Sequence, residues 1–362
     1  MKNYLELSVL GILAFTLSLI VIPLMRIAAK KIQLVDVPNF RKVHDTSIPL
    51  IGGLVIGMIV FILMLASGND IWKEMLPIFT TSYIMLFVGA LDDKTDIRAI
   101  YKLGIQLCVS IIIATSGIRV SSLYGLFGIY EISIYLQYIL TVLIITTAVN
   151  SFNLIDGIDG LAGSVAGIGF CLFFIISLVE GNFSLARIGI LFIGSILAFL
   201  KYNFSKKNKI FLGNSGALFL GYLLICLGIY LTKFDHHETD FPYGIFFILF
   251  VFTIPVMDSV RVYADRILRG KSAFKADKTH IHHHLLDLGL SHKNITLTFL
   301  AINILILAIQ MIFFKSYSVY TIFLSFIAFI LIFKLIKAIN LFITWKKKIK
   351  TMENTIELKS EN

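Results

Sequence analysis

Long apolar runs separated by short polar breaks set the rhythm of this chain. Stretches near the length that spans a hydrocarbon core, about 20 residues, lie near 6–25, 49–67, 75–91, 103–118, 134–150, 161–179, 185–201, 211–232, 243–263, 295–314 and 318–336. The pattern predicts an all-α polytopic membrane protein with about 11 transmembrane helices. The first run is expected to remain as a helix, because it is too long for a signal peptide and no small-x-small cleavage site follows it. Between the fourth and fifth runs, SGIRVSSLYGLFGIYEISI (116–134) alternates and is rich in turn residues. It predicts a small hairpin or an interfacial segment. The organisation is a single integral-membrane domain over 1–345 with a polar tail over 346–362, whose end, TMENTIELKSEN, is expected to be disordered.

Composition agrees with the pattern. Of the 362 residues 57% are hydrophobic, and the mean hydropathy is +0.88. The bilayer must be the solvent for most of the chain. The three cysteines, Cys108, Cys171 and Cys226, fall inside apolar runs without metal spacing. They read as small core residues, neither a disulfide nor a zinc set.

The net charge of +10 points to topology rather than to nucleic acid. Basic residues crowd alternate loops. Arg26, Lys30 and Lys31 follow run one, Lys94, Arg98 and Lys102 follow run three, and Lys206, Lys207 and Lys209 follow run seven. Arg261, Arg266, Arg269, Lys271 and Lys275 follow run nine, and Lys346, Lys347 and Lys348 follow run eleven. By the positive-inside rule these loops are cytoplasmic, the N-terminus is outside, and the C-terminus and tail are inside.

Polar chemistry concentrates on those same loops. LDDKTD (91–96), NSFNLIDGIDG (150–160), FLGNSG (211–216) and DKTHIHHH (277–284) all fall on the cytoplasmic side as assigned from charge alone. They suggest one composite site at that face. Asp92 and Asp93 repel as neighbours and need a cation or a base. They read either as a solvated helix end with Lys94 as partner or as a base-and-metal pair. Asn150, Asn153, Asp156 and Asp159 recur every three residues, with no Lys or Arg in the loop to neutralise the acids. A divalent cation is the simple candidate. His280, His282, His283 and His284 lie among basic residues with no Cys, Asp or Glu at a structural-zinc spacing, which favours phosphate or diphosphate over zinc. Asp258 and Arg261, three apart, read as a local ion pair. Arg266 and Arg269 read equally as phosphate ligands or ordinary surface cations.

Four of these motifs in order, together with DVPNFRKVHDTSIPLIGG (36–53), resemble the polyprenyl-phosphate N-acetylhexosamine-1-phosphate transferases of glycosyltransferase family 4. LDDKTDIRAIYKLGIQL, NSFNLIDGIDGLAG, FLGNSGALFLG and GKSAFKADKTHIHHHLLDLGLSHK carry the resemblance. His280-Ile281-His282-His283 is more similar to the branch that uses undecaprenyl phosphate and N-acetylglucosamine than to the muramyl-pentapeptide branch.

The resemblance implies transfer of N-acetylhexosamine-1-phosphate, GlcNAc-1-phosphate first, from a UDP-sugar to undecaprenyl phosphate. UMP would leave, and lipid-linked polysaccharide or teichoic-acid synthesis would start. It implies a multi-pass protein of the bacterial cytoplasmic membrane, Mg²⁺ with Mn²⁺ as an allowed substitute, and room for a homodimer. Carried over, Asp92, Asp93 and Asp156 are catalytic. Asp159, Arg269, Lys271, His280, His282 and His283 bind substrate, and Asn153 and Asn214 hold the metal. Asn214 departs from the family, which usually has Asp there, so the site carries one charge fewer. The rival readings are a transporter and a weak homologue serving as an assembly partner. Transporters place ionisable groups near the midplane; here the acids gather at one face.

Overall fold

The computed structural model describes residues 1–37, 47–67, 72–235, 242–270, 279–317 and 320–360. Lys271 and most of the first inner loop, 38–46, lie outside them. The chain forms helices α1 (Lys2–Lys31), α2 (Gly52–Ala66), α3 (Trp72–Thr95), α4 (Ala99–Thr115), α5 (Ile134–Leu154) and α6 (Leu161–Val179). It continues with α7 (Phe183–Asn203), α8 (Gly213–Leu231), α9 (Tyr243–Leu268), α10 (Ile281–Asp287), α11 (His292–Tyr317) and α12 (Tyr320–Ser360). Each expected apolar run falls mainly on one helix, from α1 to α9 and then α11 and α12. Among the described residues nine helices are long and apolar enough to cross a membrane. The apolar α2 and α4 are shorter, at 15 and 17 residues. The protein is a polytopic helical membrane protein.

Two short antiparallel pairs punctuate the helices. β1 (Val35–Asp36) pairs with β2 (Ile48–Pro49). β3 (Ser122–Leu126) and β4 (Ile129–Glu131) form the hairpin expected from the turn-rich segment at 116–134. Three expectations are corrected. The inner loop expected at about 264–294 holds the end of α9, all of α10 and the start of α11. The tail is helical as far as Ser360, because α12 runs on for 41 residues. Only Cys226 is a core residue; Cys108 and Cys171 lie on the outer surface of the bundle.

α8 is the axis of the bundle. Its sequence, GNSGALFLGYLLICLGIYL, is apolar on every side, and a helix of that kind is stable only when surrounded. Every residue of α8 is buried except Asn214. α3, α5, α2 and α9 pack around it. The peripheral helices turn large apolar residues outward, such as Ile12 and Ile20 on α1 and Leu331 and Leu335 on α12. That is the face a hydrocarbon solvent accepts.

Polar contacts knot the bundle at its two ends. At one end Tyr124 Oη donates to Asp235 at 2.7 Å, Lys233 lies 3.9 Å from Glu74, and Arg187 donates to Glu6 at 3.0 Å. At the other end Arg26 donates to Asn208 at 2.9 Å, beside the clusters described next.

Candidate active site

Asp92 and Asp93 occupy the last turn of α3. Consecutive helix residues diverge by about 100°, so the two carboxylates look in different directions. Asp92, 4% exposed, faces α4, where its Oδ2 meets Lys102 Nζ at 2.8 Å and its Oδ1 accepts from the Ile97 amide at 2.9 Å. Its partner is thus Lys102, one turn into α4, and not the adjacent Lys94. Asp93 faces α8, whose first amides are orphan donors at a helix start. Asn214 N donates to Asp93 Oδ1 at 2.7 Å, and Ser215 N donates to Oδ2 at 3.1 Å. Gly213 makes room for this contact. Its φ is +78°, and a Cβ there would lie 2.6 Å from Asp93 Oδ2. The Gly-Asn-Ser turn therefore receives a carboxylate from α3 through its backbone and leaves the half-buried Asn214 side chain out of that contact.

The NSFNLIDGIDG segment does not continue as one helix. α5 ends at Leu154, a single 3-10 turn covers Ile155–Gly157, and α6 starts at Leu161. Asn150 Nδ2 donates to Gln106 at 2.7 Å and so ties α5 to α4. Asp159 Oδ2 meets Lys209 Nζ at 2.6 Å and His292 Nδ1 at 2.9 Å. Burial opposes the charge on Asp159. The hydrogen bonds and charges of His292 and Lys209 outweigh it and hold the carboxyl below its ordinary value. Asp156 has no such partner among the described residues. The charges that act on it are those of Asp93 and Asp159, both acidic.

The histidines form an ordered array at the start of α10. His280 Nδ1 lies 2.8 Å from Asp258 Oδ2, and Asp258 also accepts from the Ile281 amide at 3.1 Å. Arg261 donates to Asp258 Oδ1 and to the Thr279 carbonyl, each at 2.6 Å. The expected Asp258–Arg261 pair exists, and it also anchors the histidine segment. The rings of His280 and His282 stack 5.6 Å apart at an interplanar angle of 2°, and His283 tilts over His282 at 4.2 Å. A Cβ at Gly157 would lie 3.7 Å from His282 Nε2, so the array abuts the turn that carries Asp156. Burial, then His283 and His280, pushes the His282 ring down to about 3. It is neutral at pH 7, so it offers hydrogen bonding rather than charge. α12 braces this corner, with Phe333 3.9 Å under the Arg261 guanidinium and Asn340 donating to the His284 carbonyl at 3.2 Å.

The structure brings together Asp93, Asn214, Asp156, Asp159 and His280, His282 and His283, with Asp92 behind Asp93 and Asn153 on the last turn of α5. Arg269 pairs instead with Asp265 at 2.9 Å, outside this network among the described residues. Lys102, Lys209 and His292 are further members that the motifs did not single out. Lys102 and His292 lie inside quoted motifs without having been assigned a role, and Lys209 was visible only as loop charge.

No three His, Cys, Asp or Glu side chains converge as a ready cation cage among the described residues. Mg²⁺ does not require one, since it is held by one or two carboxylates together with substrate phosphates and water. The donor set present fits that pattern. Asp92 and Asp93 each use both carboxylate oxygens on protein donors, and Asp159 uses its Oδ2. Asp156 carries a carboxyl group with no basic partner among the described residues, and the half-buried Asn153 and Asn214 carry amide oxygens.

Residues 75–232 match the family model described as glycosyl transferase family 4. The chain is 36% identical over 322 residues to a probable undecaprenyl-phosphate N-acetylglucosaminyl 1-phosphate transferase of Bacillus subtilis, covering 88% of this chain and 87% of that one. It is 34% identical over 281 residues to the undecaprenyl-phosphate alpha-N-acetylglucosaminyl 1-phosphate transferase of Pasteurella multocida, covering 74% and 76%. The enzyme of that name from Escherichia coli K12 is 31% identical over 280 residues, covering 74% and 73%.

Proposed function

Because this chain belongs to glycosyl transferase family 4, we propose that it transfers N-acetylhexosamine-1-phosphate, GlcNAc-1-phosphate first, from a UDP-sugar to undecaprenyl phosphate. The reaction takes place on the cytoplasmic face of a bacterial membrane and begins a lipid-linked polysaccharide or teichoic acid. An acceptor phosphate oxygen forms a bond to the β-phosphorus. The bond from that phosphorus to the bridging oxygen breaks, and UMP leaves with that oxygen. A phosphate monoester has its second pKa near 6, so the acceptor is already mostly ionised at pH 7 and needs little help from a base.

The observation that carries this reading is Asp156, an acid without a cationic partner among the described residues, between Asp93 and Asp159 and beside three imidazoles. Two anionic substrates need positive charge and oriented donors at one place. Asp156, Asn153 and Asn214 would hold Mg²⁺, which supplies charge neutralisation for the diphosphate. Asp92 holds Lys102 Nζ at the end of α3, where it can meet the acceptor phosphate. Asp93 fixes the α8 turn that presents Asn214. Asp159 keeps Lys209 and His292 at the rim, and His280, His282 and His283 offer ring nitrogens to the donor diphosphate.

The test is UMP release by purified protein in detergent with undecaprenyl phosphate, Mg²⁺ and a panel of UDP-sugars. Release with one N-acetylhexosamine, lost with EDTA and in Asp92→Asn, is expected. Silence with every sugar, in the wild type and in Asn214→Asp, would overturn the reading and favour the transporter or assembly-partner role.

A further inference from the structure

Asp258 lies outside every cluster that the reaction uses directly, yet it is among the most buried acids of the chain, at 2% exposure. Its surroundings explain why an acid stands there. Three donors converge on one carboxylate: the Arg261 guanidinium at 2.6 Å, the His280 Nδ1 at 2.8 Å and the Ile281 amide at 3.1 Å. A carboxylate only accepts, so it can satisfy all three. An Asn would turn an NH₂ group toward at least one of them and leave a buried donor unmet.

That geometry decides the proton on His280. A ring nitrogen 2.8 Å from an acceptor-only, Arg-paired carboxylate must carry hydrogen. Nδ1 is therefore the protonated atom, and Nε2 is the atom left over, without a protein partner among the described residues. The ring plane is fixed as well. Arg261 grips the carbonyl of Thr279, the residue before His280, while Phe333 of α12 packs against the guanidinium. The orientation passes on to His282, whose ring lies parallel to that of His280.

We propose that Asp258 is a positioning residue: it sets the tautomer and orientation of His280 so that Nε2 faces the donor diphosphate. The role of Nε2 rests on the reading of this site as a nucleotide-sugar site; the tautomer does not. Outer partners that orient a ligating histidine typically change function by about 10-fold to 100-fold when removed.

The experiment has two arms. Full-length protein labelled with ¹⁵N at histidine is examined by NMR without substrate, and His280→Gln identifies the His280 signals. A proton on Nδ1 is expected in the wild type, with its loss or transfer to Nε2 in Asp258→Asn. A bare Nδ1 in the wild type overturns the proposal without reference to turnover. This arm decides even if Asp258→Asn does not fold or no UDP-sugar releases UMP, and the latter result sinks only the proposed reaction. In the second arm UMP release is compared in Asp258→Asn, His280→Gln and the double variant. The double variant is expected to match His280→Gln, because Asp258 acts through that ring. A further loss of about 10-fold or more in the double variant would show independent action and overturn the positioning role.

Discussion

Acid acts on Asp159 and His282 in separate pH windows, and the signs follow from their surroundings. The Asp159 carboxyl is held below its ordinary value by His292 and Lys209 once they outweigh burial. Its contribution is complete above the unfolded value near 3.9 and is lost only as pH falls through the lower folded one. It is therefore silent between pH 5 and 7. His282 goes the other way. Its folded value is about 3 against about 6.5 for an unfolded histidine, so in that interval the unfolded chain takes up a proton that the folded chain refuses. Stability falls with acid by about 1.4 kcal/mol per pH unit through this one ring. Melting in detergent at pH 6.5 and 5 should show a drop in the wild type that is clearly smaller in His282→Gln; equal drops would mean that the ring is not buried neutral. Asn214 gives a second residue-scale prediction. It is the one α8 residue not buried, beside Asp93 and with a neutral side chain. Asn214→Asp adds a third acid to Asp93 and Asp156, which should lower the melting temperature without Mg²⁺ and make it rise on Mg²⁺ addition. The Mg²⁺ needed for half-maximal UMP release should fall. Unchanged half-saturation and a melt indifferent to Mg²⁺ would remove Asn214 from the metal site.

The elements meet at the site because small residues let their backbones touch. A Cβ on Gly53 of α2 would lie 2.2 Å from the Gly216 backbone of α8, and one on Gly89 of α3 would lie 2.5 Å from the Asn214 carbonyl. Backbone cannot yield as a side-chain tip can. Gly53→Ala should therefore push α2 off the first turn of α8, costing about 1–3 kcal/mol and most of the activity. Gly104→Ala in α4 is the control, since a Cβ there meets nothing within 4 Å and alanine is the better helix former. Melting of the two variants side by side checks this, and equal behaviour would contradict the close α2–α8 contact. This level of structure was only partly legible in the sequence. The apolar runs gave nearly every helix, because lipid and core select for length and hydropathy in the same way. The motifs gave the acids, the amides and the histidines. The pairing did not follow, because the partners are remote: Lys209 lies 50 residues from Asp159, and His292 lies 133 from it. α10 was missed in a loop read for its charge, although Ile281 and Leu285, four apart and both buried, carried the signal of a short helix.

At the scale of the molecule the two ends differ in kind, and the difference predicts which way the site faces. Glu74 near the start of α3 and Asp93 in its last turn are 19 residues apart, roughly 28 Å along a helix, close to the thickness of a hydrocarbon core. One end therefore holds Glu6, Glu74, Glu131 and Asp235 around the β3–β4 hairpin. The other gathers the basic loops, the acids of the site and the histidine array. Positive loops stay on the cytoplasmic side, and a nucleotide-sugar is available only there. If the site faced outward, the donor would be on the wrong side of the membrane, whatever its geometry. Single cysteines test this directly. In a chain whose Cys108, Cys171 and Cys226 are replaced by Ser, Tyr130→Cys in the hairpin and Lys207→Cys in the α7–α8 loop are both exposed. A membrane-impermeant maleimide applied to intact cells should label the first, and the second only after permeabilisation. The reverse pattern would place Asp156 and the histidines on the outer face and remove the UDP-sugar as donor, leaving the acids and imidazoles to serve a ligand that approaches from outside.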